Sequence, residues 1–176
     1  MKRTLALIPL TALILAGCGE ESTDVAGPGP AETTTAPTAT VHSLTDRVEV
    51  KNSLGEPLAT ISDIEITTDG CDVAANGTLF QATATVESNV ETPEILWPSD
   101  IAFTDSEGMK VTHLDLSDVT EMCESDGPRG FDNMYPGDKR RASITLNAPD
   151  GAQTMIYEPT TIPDAQPVTW DIKGQL

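Results

Sequence analysis

Hydrophobic and polar positions alternate with a period of two along most of this chain, and the period of 3.6 that marks an amphipathic helix is scarce. Phe80, Ala82, Ala84 and Val86 alternate with Gln81, Thr83, Thr85 and Glu87, which predicts a strand with one buried face. Val48 and Val50 alternate with charged residues in the same way. Leu58, Thr60, Ser62, Ile64 and Ile66 make a less regular strand, with Ala59 and Ile61 on its other face. Further strands are expected at Glu94–Trp97, Asp100–Thr104, Lys110–Leu116, Arg140–Asn147, Gln153–Glu158 and Val168–Ile172. A short helical turn is expected at most near 116–123.

Turn chemistry separates these runs. Asp105-Ser-Glu-Gly108 predicts a tight reversal between Ile101–Phe103 and Met109–Val111. Pro136-Gly137-Asp138 and Ala148-Pro-Asp-Gly151 supply torsions that turns require. Pro93, Pro98, Pro159, Pro163 and Pro167 belong at strand edges and loops, because proline cannot donate to a sheet ladder. About eight or nine short strands within residues 45–176 predict one all-β domain, a β-sandwich, with an up-and-down barrel as the alternative.

The first 44 residues follow another pattern. Lys2 and Arg3 precede an apolar stretch from Leu5 to Leu15, and small residues lead into Leu15-Ala16-Gly17-Cys18. A charged start, a short apolar core and small residues before a cut make a secretory signal, here residues 1–17. Glu20, Glu21 and Asp24 end the apolar run short of the roughly 20 residues a membrane-spanning helix needs. The Leu-Ala-Gly-Cys tetrad resembles the bacterial lipobox. That resemblance implies a cut after Gly17 and a diacylglyceryl thioether on Cys18, holding the chain at the extracytoplasmic face of the cell membrane. Each buried methylene contributes about 0.8 kcal/mol, so two or three acyl chains, palmitate among them, anchor a protein that one chain would not. Residues 18–44 are otherwise Glu, Ser, Thr, Ala, Pro and Gly with few sizeable apolar side chains, the composition of a flexible tether. Its Thr33–Thr40 patch has the look of an O-glycosylated stalk or of a plain spacer.

Charge narrows the choice of partner. Removing residues 1–17 takes away Lys2 and Arg3 and no acid, so 8 basic and 28 acidic side chains remain, a formal charge of −20. Nucleic acid is an unsuitable partner, because such binding needs lysine and arginine to displace counterions. With Cys18 carrying lipid, Cys71 and Cys123 form an even pair, and an exported protein meets an oxidising compartment, so a disulfide is expected. The two are 52 residues apart, and closing such a loop stabilises a fold by roughly 4 kcal/mol in the chain-entropy model.

The order of strands resembles the immunoglobulin-like domain of actinobacterial-type exported lipoproteins and of small secreted mycobacterial antigens. It is carried by Gly77-Thr-Leu-Phe-Gln-Ala-Thr-Ala-Thr-Val-Glu-Ser-Asn89, by Phe103-Thr-Asp-Ser-Glu-Gly108 and by Tyr135-Pro-Gly-Asp138 before a long strand. The resemblance covers roughly residues 55–173 and implies an immunoglobulin-like sandwich without implying an activity. Cys71, Trp97 and Cys123 invite comparison with antibody domains, but Trp97 lies 26 residues after Cys71 and the position two before Cys123 is Glu121, not tyrosine. The bridge is therefore expected to pin loops near a sandwich end.

Candidate chemistry is sparse. Asp115, Asp118, Glu121, Glu124, Asp126 and Asp132 form the densest acidic stretch, with oxygen ligands of the kind calcium prefers. Their spacing does not fit an EF-hand, and a solvated loop is the plainer reading. His42 falls in the tether and His113 in a strand, so the folded domain offers one histidine where a metal centre needs two or three nitrogen or sulfur ligands. Ser99, Ser106 and Ser117 stand in no nucleophile-elbow context. Asn76-Gly77-Thr78 matches a glycosylation sequon and suits a turn. Lys139-Arg140-Arg141, on a strand, puts at most two side chains on one face, either as a counterweight to the acidic loop or as a site for an anion. Trp97, Phe131, Met134 and Tyr135 either seal an end of the sandwich or form an apolar patch for a partner. These features predict no enzyme and no cofactor. They predict a lipid-anchored binding module for an envelope protein or polymer, with a calcium or small-ligand carrier as the alternative and an envelope hydrolase last.

Overall fold

A computed structural model describes residues 40–112, 123–124 and 127–176. Eleven strands are present among them: β1 (Val41–His42), β2 (Val48–Lys51), β3 (Pro57–Thr67), β4 (Thr78–Ser88), β5 (Thr92–Glu94), β6 (Ile101–Thr104), β7 (Lys110–Thr112), β8 (Asp132–Met134), β9 (Lys139–Ala148), β10 (Thr154–Tyr157) and β11 (Val168–Asp171). A single 3-10 turn, Pro98–Asp100, precedes β6. One sheet runs β2-β3-β4-β9, the other β1-β11-β10-β6-β7, and β5 pairs with β8 in a separate ribbon. Between these strands every pairing is antiparallel except β1 with β11, and outside them Arg129 bridges Ser143 in parallel. The protein is thus an all-β sandwich. Two distinct sheets, in place of one closed sheet, set aside the barrel alternative.

The alternation of β4 sets the core. Phe80, Ala82, Ala84 and Val86 are buried on its inner face, and their cross-strand partners Leu146, Ile144 and Ala142 on β9 are buried with them. Phe80 meets Phe103 of β6 edge-on, with ring centroids 6.1 Å apart and planes at 70°, so an aromatic pair ties one sheet to the other. Trp170, Tyr157, Ile61 and Val50 fill the space around them. On the outer face Thr83 and Ser143 share a hydroxyl hydrogen bond of 2.7 Å.

β3 departs from its expected phase. Ile61 sits opposite Val86 and Ile66 opposite Ala82, but the register shifts between Ser62 and Glu65. Asp63, at φ 53°, occupies the left-handed region there. The extra residue is a β-bulge. It returns Ile64 and Ile66 to the face that carries Ala59 and Ile61, so the five residues expected on one face do not share it.

The Asp105–Gly108 reversal forms as expected between β6 and β7. The Asp105 carboxylate accepts the Glu107 and Met109 amides at 2.9 and 2.8 Å, and Gly108 has φ 79°. Pro136-Gly137-Asp138 likewise turns the chain into β9, with Gly137 at φ 89°.

Other boundaries move. The strand expected at Glu94–Trp97 is instead Thr92–Glu94, after which the chain bends, because Leu96 is left-handed at φ 53° and Pro98 starts the 3-10 turn. β1 lies within the stretch expected as tether, held by pairing Val41 and His42 with Thr169 and Trp170. The helical turn expected near 116–123 and the second half of Lys110–Leu116 lie outside the described residues, apart from Cys123.

Candidate functional site

Cys71 and Cys123 form a disulfide. Both cysteines lie outside strands, Cys71 in the connection after β3 and Cys123 in the segment that leads towards β8. The Glu124 amide donates to the Gly70 carbonyl at 2.8 Å beside the bridge, and the Arg129 guanidinium donates to the Cys123 carbonyl at 3.1 Å. The bridge therefore joins two loops, as the sequence led one to expect.

From that anchored segment the chain runs along the outer edge of β9. Ser143 donates its amide to the Pro128 carbonyl and accepts from Gly130, both at 3.0 Å, before residues 132–134 turn away to pair with β5. The edge of β9, the β5–β8 ribbon and the Pro98–Asp100 turn enclose an open groove of about 810 Å³. Trp97, Pro93 and Pro98 give it apolar surface, and Glu94, Arg129, Asp132 and Thr145 give it polar groups.

Trp97 is 42% exposed, yet the backbone that carries it is fixed from behind. The Leu96 amide donates to the Tyr157 hydroxyl at 3.3 Å, and the Thr161 hydroxyl donates to the Glu94 carbonyl at 3.0 Å. The Glu158 amide donates to the Asp100 carbonyl at 2.8 Å, and the Thr160 hydroxyl to the Asp100 carboxylate at 2.5 Å. Burial pushes the Tyr157 hydroxyl well above the usual tyrosine range; the Leu96 amide partly offsets this, and the Asp100 charge adds to it. An exposed indole on a braced loop loses little conformational freedom when a ligand arrives, which is the physical content of preorganisation.

The four apolar residues expected to act together divide. Phe131 and Met134 are buried and join the core, whereas Trp97 and Tyr135 are exposed. Phe131 and Met134 pack into the core, and Trp97 and Tyr135 leave apolar surface in solvent.

The acidic candidates divide too. Asp115, Asp118, Glu121 and Asp126 lie outside the described residues, as do His113 and Ser117. Glu124 sits by the disulfide and Asp132 on β8 in the groove. Among the described residues no three His, Cys, Asp or Glu side chains gather as a metal-binding group. Ser99 lines the groove, Ser106 sits in the β6–β7 turn, and His42 lies on β1 at 4.0 Å from Asp46. Of the basic cluster, Arg141 pairs with Glu65 at 2.8 Å and donates to the Asp63 carbonyl, while Arg140 donates to the Asp132 carbonyl at 3.0 Å. Arg141 thus pairs with one acid at the β3 bulge, Glu65, and with the backbone of Asp63. Asn76 accepts from the Asn147 side chain at 3.1 Å within the bend before β4.

Cys18, the 1–17 leader and the tether up to residue 39 lie outside the described residues. Among those described, no helix is long and apolar enough to cross a membrane.

No family model matches the chain, and no curated protein matches it. Among solved structures it is similar to a secreted protein from Mycobacterium tuberculosis, MPT63, at 13% identity and a TM-score of 0.49, over 77% of this chain and 99% of that one. The fold class rests on the two sheets and their shared core.

Proposed function

We propose that this protein is a lipoprotein of the cell envelope whose sandwich is a non-catalytic binding module. It is held by acyl chains on Cys18 at the extracytoplasmic face and engages an envelope protein or polymer through the Trp97 groove. The observation that carries the reading is Trp97 itself. It is a large aromatic left exposed on a loop whose backbone is tied to residues 157–161 by three hydrogen bonds and whose Asp100 carboxylate takes a fourth. The same bonds seat the buried Ile95, Leu96 and Asp100, and they leave the indole between them in solvent, as rigid aromatic anchors of binding surfaces are.

The absence of enzymatic activity is part of the proposal. The groove's polar side chains come as two carboxylates, an arginine already bonded to a carbonyl, the Asn133 amide and three hydroxyls, without a described base hydrogen-bonded to a nucleophile. The test is capture from envelope extract by the full chain and by Trp97→Ala at equal loading. The reading expects a discrete species retained by the wild type and lost with the variant, whose unfolding midpoint stays close to that of the wild type. Equal capture by both would refute the groove as the binding surface.

A further inference from the structure

Resting on that reading, we propose that the groove takes an extended peptide carrying a basic side chain, which adds as a strand to the free edge of β9. Three observations converge on this occupant.

The first is the edge. In an antiparallel ladder, alternate residues turn their amide and carbonyl towards the partner and the residues between them turn outward. Ser143 turns outward, since its amide and carbonyl bond Pro128 and Gly130, and the register of β9 with β4 has no shift. Thr145, two residues on, therefore presents its amide and carbonyl on the same side. Among the described residues it meets no further strand there, and it lines the groove. The segment at Arg129 already pairs with Ser143 in parallel fashion, so the edge accepts added backbone at one position and leaves the next one open. Unpaired edge groups are a template for an incoming strand.

The second is charge. Glu94 and Asp132 stand directly opposite each other across the β5–β8 ribbon. Like charges in facing positions destabilise a strand pair. Neither carboxylate is in an ion pair with a described residue: the Arg129 guanidinium in the groove is engaged with the Cys123 carbonyl, and that of Arg140 with the Asp132 carbonyl. An ammonium or guanidinium placed between the two carboxylates relieves the repulsion. The formal net charge of −18 draws a cationic peptide to the surface over longer range.

The third is Trp97 with Pro93 and Pro98. An indole face beside two carboxylates suits the methylene stem and cationic head of a lysine or arginine. A neutral glycan would use the indole but would leave both the Thr145 edge and the facing carboxylates unanswered.

The experiment is an amide-resolved NMR titration of the full chain with an acetylated, amidated peptide, Thr-Val-Thr-Lys-Thr-Val-Thr. Three companion probes are used: the same peptide with Glu for Lys, the same peptide N-methylated at alternate amides, and a chito-oligosaccharide. The proposal expects the Lys peptide to shift the Thr145 amide and the Trp97 indole and to slow hydrogen exchange at Thr145. Both the Glu peptide and the N-methylated peptide should bind at least about tenfold more weakly. Equal binding by the N-methylated peptide, a response to the oligosaccharide alone, or no response at Thr145 would each overturn the strand-addition proposal. Capture through Trp97 could still succeed in those cases, so the two claims fail separately.

Discussion

Tyr157→Phe probes the brace behind Trp97 and has a consequence that depends on pH. At neutral pH the variant removes the hydroxyl that accepts the Leu96 amide at 3.3 Å. Leu96 is buried, at 3% exposure, so its amide loses an acceptor where water does not readily replace it. Leaving a buried donor unsatisfied costs about 1–3 kcal/mol. The long bond places the expected loss near the lower end of that range. Alkaline pH reverses the comparison. Burial raises the folded-state value of Tyr157 far above its ordinary value of 10.0. The contribution is full below about pH 10. Above it the unfolded chain gives up the phenolic proton while the folded chain keeps it, so stability falls with rising pH. The slope approaches about 1.4 kcal/mol per pH unit for this one group. Tyr157→Phe lacks the group and lacks that slope. Urea unfolding of both proteins at pH 7, 9, 10.5 and 11.5 should show the wild type more stable at pH 7 and the gap closing above pH 10. A gap independent of pH would show that Tyr157 is not buried as described. A variant as stable as the wild type at pH 7 would show that the Leu96 bond contributes nothing to the brace.

Other expectations follow from the same structure. Replacing both Cys71 and Cys123 by serine opens a loop of 52 residues; equilibrium urea unfolding should show a loss of about 4 kcal/mol in the chain-entropy model, and a loss below about 1 kcal/mol would mean the bridge does not constrain the unfolded chain. Phe103→Ala removes one ring of the pair that joins the sheets, and calorimetry should show a destabilisation of about 3–5 kcal/mol, with a smaller value indicating that the core collapses into the cavity. Intact-mass analysis of the protein from its host should find residues 1–17 gone and Cys18 acylated; an unmodified cysteine or a retained leader would remove the anchor from the account.

Much of the fold was legible because long strands advertise themselves. From Phe80 to Glu87 the apolar and polar residues of β4 alternate without a break, and each of the apolar ones is buried. β3 was harder. The sequence around Ser62 and Asp63 carries no sign of an inserted residue, and the bulge shifts the phase of everything beyond it. β1 and β8, of two and three residues, are too short to show a period and owe their order to the strands they join. Trp97 looked like a strand end until Leu96 adopted a left-handed conformation ahead of Pro98.

The site was barely legible. Its parts are Glu94 and Trp97, then Arg129 and Asp132, then Ser143 and Thr145, and the fold assembles them from three separate stretches. Of these, Trp97 and Asp132 stood out in the sequence, each within a different group. No local pattern announces that two acids will face each other across a ribbon, or that Thr145 will lie one step beyond a paired edge.

The most direct test of the groove is photo-crosslinking in the intact envelope, with a photoreactive residue at Ser99 in the groove and, as a control, at the exposed Leu54 in the β2–β3 turn. A discrete adduct is expected from position 99, disappearing when Trp97→Ala is added, and none from position 54. The same adducts from both positions, or none from position 99, would contradict it.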